Sequence, residues 1–162
     1  MSQKDDQNNH IYFWSGTGNS YRVATWLEHI SKKMDINTKI FSTDTNRGKG
    51  EIKLGKNNIL GLVFPTHGFT APWHILKFVW KLPRAKSTHA FCIATRAALK
   101  FGSFFIPGIS GSATFIVALI LWLKGYKVQG ALSVDMPSNW FSLHPIQSKK
   151  SHEAIIRRAE LK

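Results

Sequence analysis

The stretch that decides the fold is residues 11–20, IYFWSGTGNS. Its aromatic run, 12–14, favours an extended strand, and Gly16 and Gly18 permit tight backbone turns after that strand. From Val23 onward the apolar residues recur at helical spacing. The order strand, small polar loop, helix directs backbone N–H groups and the positive end of a helix dipole at one place. The stretch therefore predicts a phosphate-binding loop.

The rest of the chain repeats this alternation of strand and helix. Apolar runs bounded by turn residues are typical of strands, and apolar residues three and four positions apart are typical of helices. The predicted strands after the first are 38–41, 59–64, 89–95 and 127–134, the predicted helices are 23–34, 72–82, 113–123 and 151–162, and 42–58 and 135–145 are interpreted as loops. Strands joined by single helices form right-handed crossovers, which predicts an α/β protein with a doubly wound parallel sheet. We interpret residues 1–10 as a flexible tail and 11–162 as one domain.

The chain is strongly basic, with 22 Lys and Arg against 9 Asp and Glu and a formal net charge of +13. This charge favours acidic partners, and nucleic acid, an anionic membrane surface and an acidic redox protein all meet that condition. The basic residues are dispersed along the sequence, which is typical of a solvated surface. We therefore expect no dedicated nucleic-acid site.

Cysteine and histidine usage restricts the chemistry. Cys92 is the only cysteine, which excludes an intrachain disulfide and any Cys-rich zinc or iron–sulfur site built from this chain alone. The seven histidines show no ligand pair at useful spacing beside a carboxylate, so we expect no metal site. The polar residues 1–10 lack the apolar region of a signal peptide, which indicates a cytoplasmic protein.

Residues 101–123 carry no charge and are numerous enough to span a bilayer. Glycines, serines and Pro107 in the first half argue against a membrane span, and only 113–123 is continuously apolar. We interpret 113–123 as a core helix that is apolar on every face. Its outer side, which includes Trp122, is expected to contact a second subunit, another domain or a membrane surface. In the preceding helix, 72–82, the spacing predicts Trp80 on the buried face.

Three predicted loops leave the carboxyl ends of strands, the edge where doubly wound sheets bind ligands: 15–20, 65–70 and 95–100. Neither of two common nucleotide fingerprints fits them. A Walker loop needs Gly-Lys-Ser/Thr after its spacer, which the chain lacks, and a G-x-G-x-x-G pattern beginning at Gly16 meets Tyr21 in place of its third glycine. The residues therefore disfavour ATP and a classical NAD site.

The first loop resembles the phosphate loop of flavodoxin-like proteins, whose pattern is Ser/Thr-x-Thr-Gly-x-Ser/Thr after the first strand. Together with GLVFP at 61–65, KGY at 124–126 and MPSNW at 136–140, the chain is similar to the flavodoxin half of bacterial flavodoxin/ferredoxin two-domain proteins. The resemblance implies a flavodoxin-like doubly wound sheet of five parallel strands in the order 2-1-3-4-5, with helices on both faces. It also implies noncovalently bound FMN and electron transfer.

The resemblance assigns FMN-binding roles by position. The hydroxyls and backbone of the first loop would hold the phosphate, and the second and third loops would flank the isoalloxazine ring. The implied cofactor-binding residues are Ser15, Gly16, Thr17, Gly18, Asn19, Ser20, Pro65, Thr66, His67, Gly68, Phe69, Thr95, Arg96 and Ala97, and Asn139 and Trp140 are further candidates for closing the site. The Arg96 charge, about 8 Å from the flavin at an effective dielectric constant of about 20, is worth about 2 kcal/mol. We therefore expect Arg96 to raise the reduction potential.

Three functions remain open from sequence. The first is an FMN-binding electron-transfer protein or the flavin half of a small oxidoreductase, and whether it is an enzyme stays open. Its redox partner is expected to be a separate acidic iron–sulfur protein. The second is a flavodoxin fold that has lost FMN and acts as a protein- or membrane-association module, through homo-oligomers or a membrane surface at 113–123. The third is a basic nucleic-acid-binding module.

Overall fold

A computed structural model of the chain describes residues 8–44, 55–138 and 147–161. Within them, strands and helices alternate as the sequence predicts, with one additional short strand. The strands are β1 (Asn8–Phe13), β2 (Asn37–Ser42), β3 (Ile59–Pro65), β4 (His89–Phe101), β5 (Phe104–Ile106) and β6 (Lys127–Pro137), and the helices are α1 (Asn19–Lys33), α2 (Trp73–Lys81), α3 (Ala113–Leu123) and α4 (Lys149–Glu160).

The sheet has the topology that the sequence analysis predicts. Five strands pair in parallel in the order β2-β1-β3-β4-β6, and β5 pairs with β4 in antiparallel orientation. Since β6 is the fifth parallel strand along the chain, the order corresponds to the expected 2-1-3-4-5. Strand order reverses around β1, between β2 and β3, which is where doubly wound folds open a crevice at the carboxyl ends of their strands.

Alternate residues of the strands bury their side chains on opposite faces of the sheet. Tyr12 and Leu62 belong to a core that contains Ile75 of α2 and Val117 of α3. Ile11, Val63 and Ile93 belong to a second core that contains residues of α1 and α4. Helices therefore cover both faces, with α2 and α3 on one and α1 and α4 on the other.

Strand β4 is much longer than predicted. The sequence analysis ends it at Thr95 and places a loop at 95–100, but the strand continues to Phe101 and turns back into β5. Arg96, Ala97 and Ala98 continue the ladder with β6, so their backbone groups have partners that the sequence does not show. No glycine or proline interrupts the chain between Thr95 and Gly102, and the prediction of a third loop is wrong.

Several boundaries also differ by a few residues. Strand β1 begins at Asn8, so the end of the predicted tail belongs to the sheet, and residues 1–7 lie outside the described residues. Strand β6 continues to Pro137, which shortens the predicted loop 135–145. Most of the predicted loop 42–58, namely 45–54, also lies outside the described residues.

The uncharged stretch 101–123 divides into three parts: the β4–β5 hairpin, a connection through 107–112, and α3. Among the helices of the described residues, none is long and apolar enough to cross a membrane. Gly125 follows α3 with a left-handed φ of 88°, and Trp80 of α2 is 69% exposed. The predicted helix 113–123 is therefore confirmed, and the prediction of a buried Trp80 is wrong.

Two buried acidic groups make stability depend on pH in the alkaline range. Burial raises the pKa of the Cys92 thiol from 9.0 to about 12 and that of the Tyr126 hydroxyl from 10.0 to about 12. Both groups also donate hydrogen bonds, Cys92 to the Thr114 carbonyl (3.4 Å) and Tyr126 to the Pro83 carbonyl (2.9 Å). Because the folded state holds these protons more tightly, their contribution is complete below about pH 9 and is lost as the pH rises towards 12.

We expect the free energy of unfolding, measured with urea, to fall from about pH 9 upward. The variant Tyr126→Phe keeps the ring in place and removes one titrating group, so its unfolding free energy should fall less steeply with pH. Equal slopes for wild type and Tyr126→Phe would contradict this assignment.

Candidate functional site

A cavity of about 420 Å³ lies at the carboxyl ends of the strands. Of the residues that the sequence analysis assigns to a site, all except Gly18 and Phe69 line it, and Met136 and Pro137 line it as well. The lining residues are Ser15, Gly16, Thr17, Asn19, Ser20, Pro65, Thr66, His67, Gly68, Thr95, Arg96, Ala97, Met136 and Pro137. The ends of β3 and β6, residues 95–97 of β4 and the segments after β1 and β3 therefore surround one space.

The first loop connects β1 to α1 at one end of the cavity. Trp14 N donates to the Val63 carbonyl (3.0 Å), which fixes where the loop leaves the sheet. Gly18, with a left-handed φ of 90°, precedes the first turn of α1, and its carbonyl accepts from Arg22 N (2.9 Å). Within the described residues, no backbone carbonyl accepts from the N–H groups of Gly16, Gly18 or Asn19. These donors, next to the positive end of α1, are suited to bind an anion.

A pair of buried hydroxyls connects the first loop to β4. Ser20 Oγ and Thr95 Oγ1 are 3.0 Å apart, and both residues line the cavity. Either oxygen is able to donate to the other, and the hydrogen of the accepting hydroxyl then remains available to a ligand. Asn19 Nδ2 also donates to the Pro137 carbonyl (3.0 Å), which connects the same loop to the end of β6.

The second loop contains a tight turn. Gly68 and Phe69 have φ angles of 54° and 61°, and His67 and Thr70 exchange backbone hydrogen bonds of 2.9 and 3.0 Å across them. Two successive positive φ values are the signature of a type I′ turn. A left-handed φ is costly for phenylalanine, and the Phe69 carbonyl is held by Ser112 N at 2.9 Å. The Phe69 side chain is exposed, and the residue does not line the cavity.

Thr66 supplies a buried hydroxyl without a partner in the wall of the cavity. Its backbone N–H donates to the Thr95 carbonyl (2.8 Å), which fixes the residue against β4. Its Oγ1 is buried and finds no hydrogen-bond partner within the described part of the chain. An unpaired buried hydroxyl costs about 1–3 kcal/mol, and a ligand that hydrogen-bonds to it would remove that cost.

Trp14 and two histidines form an aromatic group beside the cavity. The Trp14 ring meets His67 edge-on at 5.4 Å between centroids and lies nearly parallel to His74 at 6.0 Å. His74 Nε2 is 3.1 Å from Thr43 Oγ1 and 3.5 Å from Asp44 Oδ1. These contacts hold the second loop and the start of α2 against the end of β1.

Arg96 forms an ion pair with a buried carboxylate, which the sequence analysis does not predict. Its Nε and Nη2 donate to Asp135 Oδ1 (2.8 Å) and Oδ2 (3.2 Å), and Gly108 N also donates to Oδ1 (2.9 Å). Asp135 is 4% exposed and faces Arg96 across the β4–β6 ladder. Because the carboxylate neutralises the guanidinium, Arg96 does not present an isolated positive charge to the cavity. The energy of about 2 kcal/mol calculated for the Arg96 charge does not take this pairing into account, and the raised reduction potential stays a prediction.

Met136 and Pro137 line the cavity but are not among the residues predicted from the sequence. They follow Asp135 at the end of β6, where the sequence analysis expects a loop, and the only signal for them is the similarity of MPSNW at 136–140. The two residues proposed there to close the site, Asn139 and Trp140, lie outside the described residues.

No protein-family model and no curated protein matches the sequence. Solved structures do match the fold. A flavodoxin from Streptococcus pneumoniae superposes with a TM-score of 0.61 at 14% identity, covering 94% of this chain and 95% of the other. An archaeal flavodoxin gives a TM-score of 0.61 at 14% identity over 94% of each chain. The two-electron reduced flavodoxin of Megasphaera elsdenii gives 0.57 at 16% identity over 95% and 99%. The chain therefore has a flavodoxin-like fold.

Proposed function

We propose that this protein binds FMN noncovalently in the cavity at the carboxyl ends of its strands and transfers electrons. The observation that carries the proposal is the composition of the cavity wall. A loop of hydroxyls and N–H groups at the start of α1 shares the cavity with the buried Thr66 hydroxyl, and within residues 8–44, 55–138 and 147–161 no backbone carbonyl accepts from those N–H groups and nothing pairs with that hydroxyl. Its volume of about 420 Å³ lies within the range of cofactor pockets.

The first loop would hold the phosphate. Ser15 and Thr17 contribute hydroxyls to the lining. The backbone N–H groups of Gly16 and Asn19 donate to no backbone carbonyl of the described residues. These donors, with the positive end of α1, compensate an anion without a lysine in the loop. The Ser20–Thr95 hydroxyl pair adds a donor on the same side.

The second loop and β4 would hold the ring of the flavin. Pro65, Thr66 and Gly68 form one wall, and Arg96 and Ala97 form another. Backbone groups and the Thr66 hydroxyl would be available to the polar edge of the ring, and the Arg96–Asp135 pair keeps this wall close to neutral. When bound, FMN supplies one- or two-electron transfer, and the protein contributes orientation and electrostatics.

The basic surface selects the redox partner. A net charge of +13 attracts acidic proteins at long range and repels basic ones. Since the chain has a single cysteine, an iron–sulfur cluster that exchanges electrons with the flavin belongs to a separate, acidic protein in the cytoplasm. Whether this protein and its redox partner together act as an oxidoreductase on a small substrate depends on that partner.

Titration with FMN tests the proposal. We expect the protein to bind one FMN, to quench its fluorescence and to prefer FMN over riboflavin because of the phosphate. A Cβ at Gly16 would have no atom of the described residues within 4 Å, so the side chain of Gly16→Val enters the space at the loop and should weaken FMN binding at least tenfold. The matched control is Gly130→Val on β6, where a Cβ likewise has no neighbour within 4 Å.

The control should bind FMN like the wild type, and both variants should unfold at the wild-type urea concentration. Equal affinity of wild type and Gly16→Val for FMN, or equal affinity of the wild type for riboflavin and FMN, would refute the assignment of the phosphate to the first loop. A folded wild-type protein without affinity for FMN would refute the proposed function.

A further inference from the structure

The outward sides of α2 and α3 carry large apolar side chains that the fold does not need. We call this surface the outer helix face; its apolar residues are Trp73, Trp80, Phe115, Leu119, Trp122 and Leu123, all more than half exposed. On α3 the exposed apolar residues 115, 119 and 122 are four and three positions apart, and on α2 Trp73 and Trp80 are seven apart, so each set lies on one side of its helix. The opposite sides, with Ile75 and Val79 of α2 and Val117 and Leu121 of α3, are buried in the core. Large exposed apolar side chains gathered on two neighbouring helices usually mark an interaction site.

All charges in this part of the chain have the same sign. Between residues 52 and 134, which include α2, β4, β5 and α3, every charged side chain is a lysine or an arginine. On the outer helix face itself, Lys77 Nζ lies 5.3 Å from the centroid of the Trp73 ring, and Lys124 Nζ donates to the Trp80 carbonyl (2.8 Å). Tryptophan and lysine therefore alternate across it.

The carboxylates lie elsewhere in the described residues. Glu28 is on α1, and Glu153 and Glu160 are on α4, on the opposite side of the sheet. Asp44 follows β2 and is 3.5 Å from His74 at the start of α2. Lysines and arginines lie on both sides of the sheet, but α2 and α3 carry no carboxylate, so the outer helix face is complementary to an extended anionic surface.

The exposed tryptophans and lysines of the outer helix face favour some binding partners over others. A second copy would oppose lysines to lysines, which is repulsive. An anionic lipid bilayer is a wide surface with negative headgroups above an apolar layer, where tryptophan is enriched and lysine is attracted to the headgroups. We propose that the outer helix face docks this protein on the surface of an anionic lipid bilayer, with the tryptophans in the interface and the lysines at the headgroups. The docking is independent of FMN binding.

Co-sedimentation with lipid vesicles tests this proposal on the full chain. We expect binding to vesicles of phosphatidylcholine mixed with phosphatidylglycerol, at least tenfold weaker binding to phosphatidylcholine alone, and weaker binding in high salt, which screens the lysines. The fluorescence of Trp73, Trp80 and Trp122 should shift to shorter wavelength on binding, because the rings enter a less polar layer.

Two variants separate the apolar and the charged contributions. Phe115→Ala with Trp122→Ala should weaken binding to the anionic vesicles at least tenfold, since apolar area is lost. Lys77→Glu with Lys81→Glu should weaken binding to the anionic vesicles by at least about a hundredfold, because each lysine near the membrane surface is attracted to the headgroups and each glutamate is repelled. The matched controls are Ile30→Ala with Met34→Ala and the single change Lys33→Glu, which alter exposed residues on the opposite side of the sheet.

The controls should bind like the wild type. Absence of binding to anionic vesicles, equal binding to neutral vesicles, or equal losses in the controls would overturn the proposal. A lipid-free dimer in sedimentation velocity that Phe115→Ala with Trp122→Ala dissociates would also overturn it, because the face would then bind a second copy.

Discussion

Replacing Asp135 with alanine is expected to lower the free energy of unfolding by about 3 kcal/mol, because breaking a buried ion pair leaves the partner without compensation. The Asp135 side chain is 5% exposed and that of Arg96 is 24% exposed. The change also leaves the buried N–H of Gly108 without its acceptor. For a chain of this length, the loss corresponds to a decrease in melting temperature of roughly 6–12 °C.

Urea unfolding of the single and double variants measures the interaction energy between Arg96 and Asp135. Asp135→Asn retains an oxygen that accepts from Gly108 N and should lose less stability than Asp135→Ala. In the cycle of Arg96→Ala and Asp135→Ala, the double variant should be more stable than the sum of the single losses predicts, because neither charge is then left alone. Strictly additive losses would contradict an ion pair, and a loss that disappears in high salt would contradict its burial.

Replacing Gly125 with alanine is expected to destabilise the protein by about 3 kcal/mol, through backbone strain and a steric clash. Gly125 ends α3 with a φ of 88°, and a Cβ there would overlap the Ala85 carbonyl oxygen. Ala85 has little freedom to move away, because its N–H donates to the Lys124 carbonyl (2.9 Å). The change therefore forces apart the connection between α2 and β4 and the end of α3.

A second glycine with a left-handed φ serves as a control that measures the backbone strain without a steric clash. Gly102, at the tip of the β4–β5 hairpin, has a φ of 56°, and a Cβ there meets no atom within 4 Å. Gly102→Ala should cost only the left-handed conformation, about 1 kcal/mol. Equal losses for the two variants in urea unfolding would show that the contact with Ala85 contributes nothing.

The sequence predicts best what short stretches determine. The aromatic run, the glycines and the helical spacing in residues 11–34 are neighbours, and β1, the first loop and α1 follow from them. The continuation of β4 depends on a ladder to β6, and the partner of Arg96 is 39 residues away. The spacing in α2 places Trp80 near the apolar side, yet burial depends on what packs there. Interactions of this kind depend on tertiary pairing between distant residues, which local sequence patterns do not reveal.

The same distinction holds for the candidate site. The first loop can be predicted from sequence because its hydrogen-bond donors are consecutive residues. Met136 and Pro137 line the cavity only because β6 extends beside β4. The neutralised Arg96 is the clearest case, since its charge is plain in the sequence and its compensation is not.

The hydrogen bond from Asn19 to the Pro137 carbonyl joins residues that are 118 positions apart. During synthesis, β1, the first loop and α1 leave the ribosome long before β6 exists, so the cavity closes only after nearly the whole sheet has been made. Contacts of such high sequence separation form slowly and late in folding. A ligand of this cavity therefore recognises finished molecules alone, and its binding draws late intermediates towards the native state by mass action.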